Sequence, residues 1–158
     1  MGFQEYFVRE QLRPRLRGIR LDGLETARPA PEAVAAVEEA DLVVIGPSNP
    51  LISIAPITAL LGEALRRERT VAVSPIVAGR ALKGPTVEML LAMRGEATPT
   101  RVAEEYRAFT GGYVLDELDL DQEAAVMALG YRVLVTDTVM HGTEGARRLA
   151  SAVLEHWG

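Results

Sequence analysis

The stretch DLVVI (Asp41–Ile45) stops at Gly46-Pro47, and its unbroken apolar run is typical of a strand buried on both faces of a sheet. Two further runs have the same character, TVAV (Thr70–Val73) and YRVLV (Tyr131–Val135). Weaker strand candidates are Gly18–Leu24, in which apolar residues alternate, and Gly112–Leu115. The sequence therefore predicts buried strands of the kind found in parallel sheets.

Segments with helical character separate these strands. Pro56–Arg67 begins with a proline suited to a first helical turn and ends in basic residues suited to the negative end of the helix dipole. Asp119 and Gln122 have the spacing of a capping box before Ala124–Leu129. The remaining predicted helices are Pro31–Glu39, Pro85–Arg94 and a last helix that Thr143 caps and that runs to about Trp157.

The alternation of strands and helices predicts the fold class. It indicates βαβ units, and hence a single α/β domain over residues 1–158 with a mostly parallel sheet and helices on both faces. Ligands of such sheets bind beyond the carboxyl ends of the strands. The loops that follow the three strong strands are therefore the candidate functional site.

Composition and charge exclude several classes of protein. The chain has no cysteine, which excludes disulfides and thiol chemistry, and its net charge of −5 disfavours a general nucleic-acid binder. No apolar run approaches the roughly 20 residues that span a bilayer, so we expect a cytoplasmic protein that binds neither membrane nor nucleic acid. An arginine cluster near the N-terminus is either a solvated face or a contact for an anionic ligand or an acidic chain: Arg9, Arg13, Arg15, Arg17 and Arg20.

The loop after the first strong strand is stiff and polar. Three prolines lie within ten residues, and Ser48, Asn49 and Ser53 place hydroxyl and amide groups on that frame. Rigid polar groups of this kind can orient a ligand. The alternative is that Ser48 or Asn49 only satisfies backbone groups in a turn.

The loop after the second strand has small residues and two cations. Ser74, Gly79 and Gly84 allow a close approach of backbone to ligand, and Arg80 and Lys83 supply cationic donors just before a helix N-terminus. These features suit a phosphate or diphosphate, although the loop lacks the order of a Walker motif. A surface loop with two solvated cations is the alternative.

The loop after the third strand holds one carboxylate. Asp137 could bind Mg²⁺ or could cap a turn, which is the commoner role of an isolated Asp. His141 and His156 lack the spacing of a zinc site or a catalytic triad. Asp137 is therefore a weak metal candidate.

Taken together and in order, these loops resemble the 2-phospho-L-lactate transferase family of coenzyme F420 biosynthesis. The resemblance extends over nearly the whole chain. The segments that carry it are Gln4–Arg9, Ala27–Pro31, Gly46–Pro50, Ser53–Ile57, Ser74–Val77, Ala81–Pro85 and Val135–Met140.

The resemblance implies a Rossmann-like fold and a reaction. Members of the family transfer a phospholactyl or phosphoenolpyruvyl group from a guanosine-diphospho donor to the deazaflavin Fo, and GMP leaves with the help of Mg²⁺. Ser48, Asn49, Pro50 and Ser53 are then expected on the Fo side. The residues expected near the nucleotide or its phosphates are Ser74, Gly79, Arg80, Lys83 and Gly84.

Two departures from the family pattern qualify these expectations. Ala78 and Arg80 stand where the resemblance leads us to expect a second glycine and a lysine. Family members are also about twice as long, so the chain resembles their C-terminal half. The principal Mg²⁺ carboxylate is expected in the other half.

Three hypotheses follow from the resemblance. The chain is a transferase half, either a truncated product or a subunit completed by a complementary N-terminal half, with weak or no turnover alone. Alternatively, it is a binding module for nucleotide or deazaflavin without catalysis, or an oligomeric scaffold. A sheet without its neighbouring half exposes apolar surface that favours self-association, and a homo-oligomer is compatible with each of the three hypotheses.

Overall fold

The computed structural model describes residues 1–158 and contains a four-stranded parallel sheet. Its strand order is β1-β2-β5-β6, and a two-stranded antiparallel hairpin, β3-β4, lies outside it. The strands are β1 (Val43–Ile45), β2 (Thr70–Val73), β3 (Ile76–Val77), β4 (Arg80–Ala81), β5 (Gly112–Asp116) and β6 (Arg132–Thr136). The predicted α/β class with a mostly parallel sheet is confirmed.

Six α-helices precede, connect or follow the strands. They are α1 (Pro31–Glu39), α2 (Ala55–Leu61), α3 (Thr86–Arg94), α4 (Pro99–Tyr106), α5 (Glu123–Ala128) and α6 (Gly142–Trp157). Short π-helical turns occupy Glu5–Arg9 and Pro50–Ile54, and 3-10 turns occupy Arg67–Arg69 and Glu117–Gln122. None of the helices is both long and apolar enough to cross a membrane.

Helices cover both faces of the sheet because successive strand residues point to opposite sides. The larger core joins Ala72, Tyr113 and Leu115 to buried residues of α3, α4 and α5. A smaller core on the opposite face packs strand valines against Leu149 and Val153 of α6. Burial on both faces explains why β2 and β5 read as continuous apolar runs.

The three strong strand predictions are confirmed in position, and one weak prediction is wrong. Among the three, the predicted burial on both faces holds for β2 only, because β1 and β6 are partly exposed. Residues 18–24 form no strand, because the chain turns at Gly23, where φ is +83°, and no neighbouring strand pairs with it. The alternation there has another origin. Ile19 packs against the larger core while the flanking arginines stay exposed.

Each predicted helix is present, but not every predicted helix end is correct. The predicted Pro56–Arg67 helix ends early, at Leu61, where the carbonyl accepts N–H bonds that close a turn. Helix α4 and the β3-β4 hairpin were not predicted. Thr98 caps α4, since its hydroxyl accepts a bond from the Arg101 N–H at 3.1 Å.

Two predicted caps are wrong. Asp116, not Asp119, accepts the backbone N–H of Leu118 at the start of the turn before α5, at 3.0 Å. Thr143 lies inside α6, which begins at Gly142 without a side-chain cap. In both cases the residue that begins the helix is set by where the preceding strand or loop ends.

Gly112 at the start of β5 makes room for Trp157 at the end of α6. A Cβ atom on Gly112 would lie 2.7 Å from Cε2 of the indole. Trp157 belongs to the periphery of the smaller core, and the guanidinium of Arg132 lies 5.7 Å from its ring centre. The absence of a side chain at Gly112 therefore lets α6 close against the amino ends of β5 and β6.

Replacing Gly112 with alanine is expected to displace the indole and to destabilise the fold by about 1–3 kcal/mol through overpacking. Urea unfolding measures the loss. The emission of Trp157, the only tryptophan, should shift to longer wavelength in the native state. Gly18→Ala is the control, since its Cβ would meet nothing within 4 Å. Unchanged emission in Gly112→Ala would contradict this contact.

Candidate functional site

A cleft of about 530 Å³ lies where the loops after the parallel strands converge. Two of those loops form most of its wall, and the short N-terminal helical turn adds two phenylalanines. The lining residues are Phe3, Phe7, Pro47, Ser48, Asn49, Ile52, Ser53, Ser74, Pro75, Leu82, Lys83, Gly84, Pro85, Thr86, Thr138 and Met140. The structure thus brings together most of the site residues that the sequence predicts.

The loop after β1 is held by Asn49. Its buried side-chain oxygen accepts the backbone N–H groups of Leu51 at 2.9 Å and Ile52 at 3.3 Å, and its amide nitrogen lies 3.5 Å from the Met89 sulfur. Asn49 therefore caps the turn as the structural alternative predicts, although it also lines the cleft. Pro50 is buried behind the turn and does not line the cleft.

Ser48 and Ser53 flank the capped turn and are both half-buried in the wall of the cleft. Their hydroxyl groups are the hydrogen-bonding side chains that this loop offers to a ligand. The Asn49 bonds and the neighbouring prolines fix the backbone that carries them. This loop can therefore orient a polar group without reorganising.

The loop after β2 contains the β3-β4 hairpin. Ala78 and Gly79 form its two-residue turn with φ of +48° and +71°, as in a type I′ turn. The hairpin carries Arg80 away from the cleft and towards a separate pocket of about 280 Å³ beside Glu88. Of the predicted phosphate residues, Ser74, Lys83 and Gly84 line the cleft, whereas Gly79 and Arg80 do not.

Ser74 has a structural role in this loop. Its buried hydroxyl donates to the Ile76 carbonyl at 2.8 Å and lies 3.2 Å from the Ile76 N–H. These contacts close the turn between β2 and β3. Lys83, by contrast, is exposed and takes part in no ion pair.

Asp119 fastens the hairpin to the turn before α5. Both of its carboxylate oxygens accept the Ala78 N–H, at 3.0 and 3.1 Å. Burial raises the pKa of Asp119, the Ala78 bond opposes that rise, and the nearby carboxylates of Asp116 and Asp121 add to it. The bond holds an alanine in a backbone conformation that glycine would adopt with less strain.

Asp116 fixes the loop after β6. One of its oxygens accepts both the N–H and the hydroxyl of Thr138, each at 2.8 Å, so Thr138 is held at the wall of the cleft. Burial opposes the charged form, but hydrogen bonds from Leu118 and Thr138 and the charge of Arg148 lower the pKa of Asp116 overall. Asp116 is thus a buried anion that is fully engaged by donors.

Asp137 lies outside the cleft lining and is occupied by other partners. Its Oδ1 accepts the Val139 N–H at 3.0 Å, and its Oδ2 pairs with Arg148 at 2.7 Å. The turn-capping alternative therefore describes its contacts. The chain contains no group of three or more His, Asp or Glu side chains that could hold a metal ion.

Residues 1–146 match the family described as 2-phospho-L-lactate transferase CofD. The chain belongs to the 2-phospho-L-lactate transferase family. A 2-phospho-L-lactate transferase from Methanosarcina mazei is 36% identical over 157 residues, which cover 98% of this chain and 52% of the relative. One from Methanosarcina acetivorans is 38% identical over 156 residues, which cover 98% of this chain and 51% of the relative.

A relative whose name contains phosphoenolpyruvate in place of phospholactate is almost as similar. A phosphoenolpyruvate transferase from Kitasatospora aureofaciens is 34% identical over 157 residues, which cover 96% of this chain and 49% of the relative. The chain spans about half the length of the curated relatives it matches. Two of the segments that carry the family resemblance contribute to the same cleft: Gly46–Pro50 and Ala81–Pro85.

The predicted site residues leave out ten residues of the cleft wall: Phe3, Phe7, Pro47, Ile52, Pro75, Leu82, Pro85, Thr86, Thr138 and Met140. Thr86 and Thr138 each stand next to a predicted loop residue, so extending those loops by a few positions would have included them. Phe3 gave no such signal, and Phe7 lies in Gln4–Arg9, a segment of the family resemblance to which no site role was assigned. Their position depends on how the N-terminal segment runs across the fold.

Replacing Ala78 with glycine is expected to stabilise the protein by about 0.5 kcal/mol, because relief of the left-handed conformation slightly exceeds the added entropy of the unfolded chain. The converse change, Gly79→Ala, introduces the same strain one residue later. It should destabilise by about 1 kcal/mol. Urea unfolding of both variants measures the difference, and a destabilised Ala78→Gly would contradict the strain.

Replacing Asp119 with asparagine keeps an acceptor for Ala78 and removes the buried charge. Since the folded-state pKa of Asp119 is raised, its contribution to stability is greatest below the unfolded pKa and is lost as pH rises through the folded value. The stability of Asp119→Asn relative to the wild type should therefore increase from pH 4 to pH 7. Urea unfolding at both values tests this, with the exposed Asp41→Asn as control; a difference independent of pH would contradict it.

Proposed function

We propose that the chain contributes the acceptor and phosphate loops of a transferase that moves a phospholactyl or phosphoenolpyruvyl group from a guanosine-diphospho donor to the deazaflavin Fo. The observation that carries the proposal is the cleft, in which the loop of Ser48 and Ser53 faces the loop of Lys83 and Gly84. Membership of the 2-phospho-L-lactate transferase family supports the reaction class.

On the acceptor side, the proposal assigns Ser48 and Ser53 to hydrogen bonds with the ribityl hydroxyls of Fo. The capped turn at Asn49 supports this, since a hydroxyl that must attack phosphorus has to be held in one orientation. Asn49 and Pro50 then act by shaping the loop. Only Asn49 of these two reaches the cleft.

On the donor side, the proposal assigns Lys83 to the diphosphate. Lys83 is the only lysine of the chain, lines the cleft and pairs with no carboxylate. Gly84, with φ of +69°, follows it and leaves the backbone open to a close approach. An unpaired cation beside an accessible backbone suits a phosphate oxygen.

The proposed reaction is a displacement at phosphorus. A ribityl hydroxyl oxygen of Fo forms the new bond to the phosphorus that bears the lactyl or enolpyruvyl group, and the bond from that phosphorus to the bridging oxygen of GMP breaks. GMP leaves with the bonding electron pair, and the hydroxyl proton passes to solvent. Positioning and charge stabilisation supply most of the catalysis in such transfers, and Lys83 provides the positive charge here.

A magnesium ion, which the family resemblance implies, stays a prediction, and the residues present do not form a site for it. Asp137 is paired with Arg148, while Asp116 and Asp119 accept backbone N–H groups. No step of the proposal is therefore assigned to a metal held by this chain alone.

A second chain stays a prediction as well. β1 has a strand neighbour on one side only, and Val44 on its face is 48% exposed. A complementary half or another copy of the chain could cover this edge and face. Turnover is therefore tested with the chain alone and with the chain mixed with the N-terminal half of the Methanosarcina mazei relative, by mass spectrometry of phospholactyl-Fo; product is expected in the mixture.

Replacing Lys83 with glutamine is expected to weaken GDP binding about tenfold, because a charge-assisted hydrogen bond is lost. Isothermal titration calorimetry measures the affinity. Arg80→Gln is the matched control: it removes the same charge three residues earlier, outside the cleft, and should change GDP affinity by less than about twofold. Equal losses in the two variants would contradict the assignment of the diphosphate to Lys83.

A further inference from the structure

The N-terminal helical turn places two phenylalanine rings in the wall of the cleft. Phe3 and Phe7 are four residues apart, and the Tyr6 N–H donates to the Gly2 carbonyl at 3.0 Å, so both rings project to the same side. The ring centres are 5.6 Å apart and the planes differ by 15°. The two rings are therefore nearly parallel and stacked on one another, and Phe3 is the more exposed of the pair.

Phe3 and Phe7 lie in the wall of the cleft and not in the hydrophobic core, where a phenylalanine is usually found. The chain has only three phenylalanines, and the third, Phe109, packs against Tyr106 away from the cleft. Phe3 lies in the wall of the cleft and is 37% exposed. Phe3 and Phe7 thus line the cleft and belong to neither hydrophobic core. Aromatic side chains in such a position are typical of the lining of a ligand pocket.

The surroundings of the pair indicate which part of a ligand it contacts. Phe3 and Ile52 both border a second cavity of about 290 Å³ whose other apolar lining includes Tyr6, Leu16 and Met89. Ile52 belongs to the Ser48–Ser53 loop, and Lys83 is absent from this second cavity. The aromatic surface is therefore continuous, on the side of the Ser48–Ser53 loop, with a cavity lined both by apolar side chains and by three arginines, Arg15, Arg17 and Arg20.

We infer that Phe3 and Phe7 form a stacking platform for the fused deazaflavin ring of the acceptor, while the ribityl chain extends from it towards Ser48 and Ser53. The inference rests on the proposed function and adds the residues that recognise the ring. A planar conjugated ring stacks on an aromatic face by dispersion and quadrupole interactions, and it removes the exposed Phe3 surface from water. The guanine base is the other planar group in the reaction, and the test separates the two.

The experiment titrates Fo with the full chain and follows the fluorescence of Fo, and it measures GDP binding separately by calorimetry. Phe3→Leu and Phe7→Leu are expected to weaken Fo binding about tenfold or more, because an apolar side chain replaces a stacking ring. Phe3→Tyr, which keeps the ring, should bind Fo within about twofold of the wild type. GDP affinity should stay unchanged in all three variants.

Phe109→Leu is the matched control, since it removes the phenylalanine outside the cleft, and Trp157 emission verifies that each variant is folded. Wild-type affinity for Fo in both cleft variants would overturn the platform and leave the proposed function intact. A loss confined to GDP would assign the rings to guanine and also overturn it. A wild-type chain that does not bind Fo would remove the acceptor assignment and the platform together.

Discussion

The parallel pairing of β2 with β1 on one side and β5 on the other is the constraint on which the site depends. Val71 lies opposite Val44 and Gly112, so the two neighbours of β2 are fixed in register with it. Complete burial of β2 makes any shift in this register costly, because a shift by one residue would exchange its two faces. The loops after β1 and β2 therefore open at one edge and form the two main walls of the cleft.

Much of this could be predicted from the sequence, because the central strands and most helices are specified locally. An apolar run closed by Gly46-Pro47 or by Ser74-Pro75 marks both a strand and the loop that follows it. Helix α4 was missed, although the spacing of Val102, Ala103 and Tyr106 after the Thr98 cap was a usable signal. The β3-β4 hairpin has a weaker sequence signal, since its strands have two residues each and its turn begins with alanine.

The role of each site residue could be predicted only in part. The sequence left open whether Asn49 caps a turn or faces a ligand; the structure shows that it caps the turn and that it also lines the cleft. Arg80 and Lys83 look equivalent along the chain, yet the type I′ turn directs Arg80 to another pocket. Such differences depend on contacts between distant residues, such as Asp119 with Ala78, which no local pattern encodes.

The two buried carboxylates at the strand ends also shape the electric field of the cleft. Asp116 and Asp119 direct their oxygens to Thr138 and Ala78, and neither carboxylate is part of the lining of the cleft. A chain with a net charge of −5 can therefore present an unpaired ammonium group, that of Lys83, at the cleft without an opposing carboxylate beside it. An approaching polyanion would therefore meet Lys83 as the one charged side chain in the lining of the cleft.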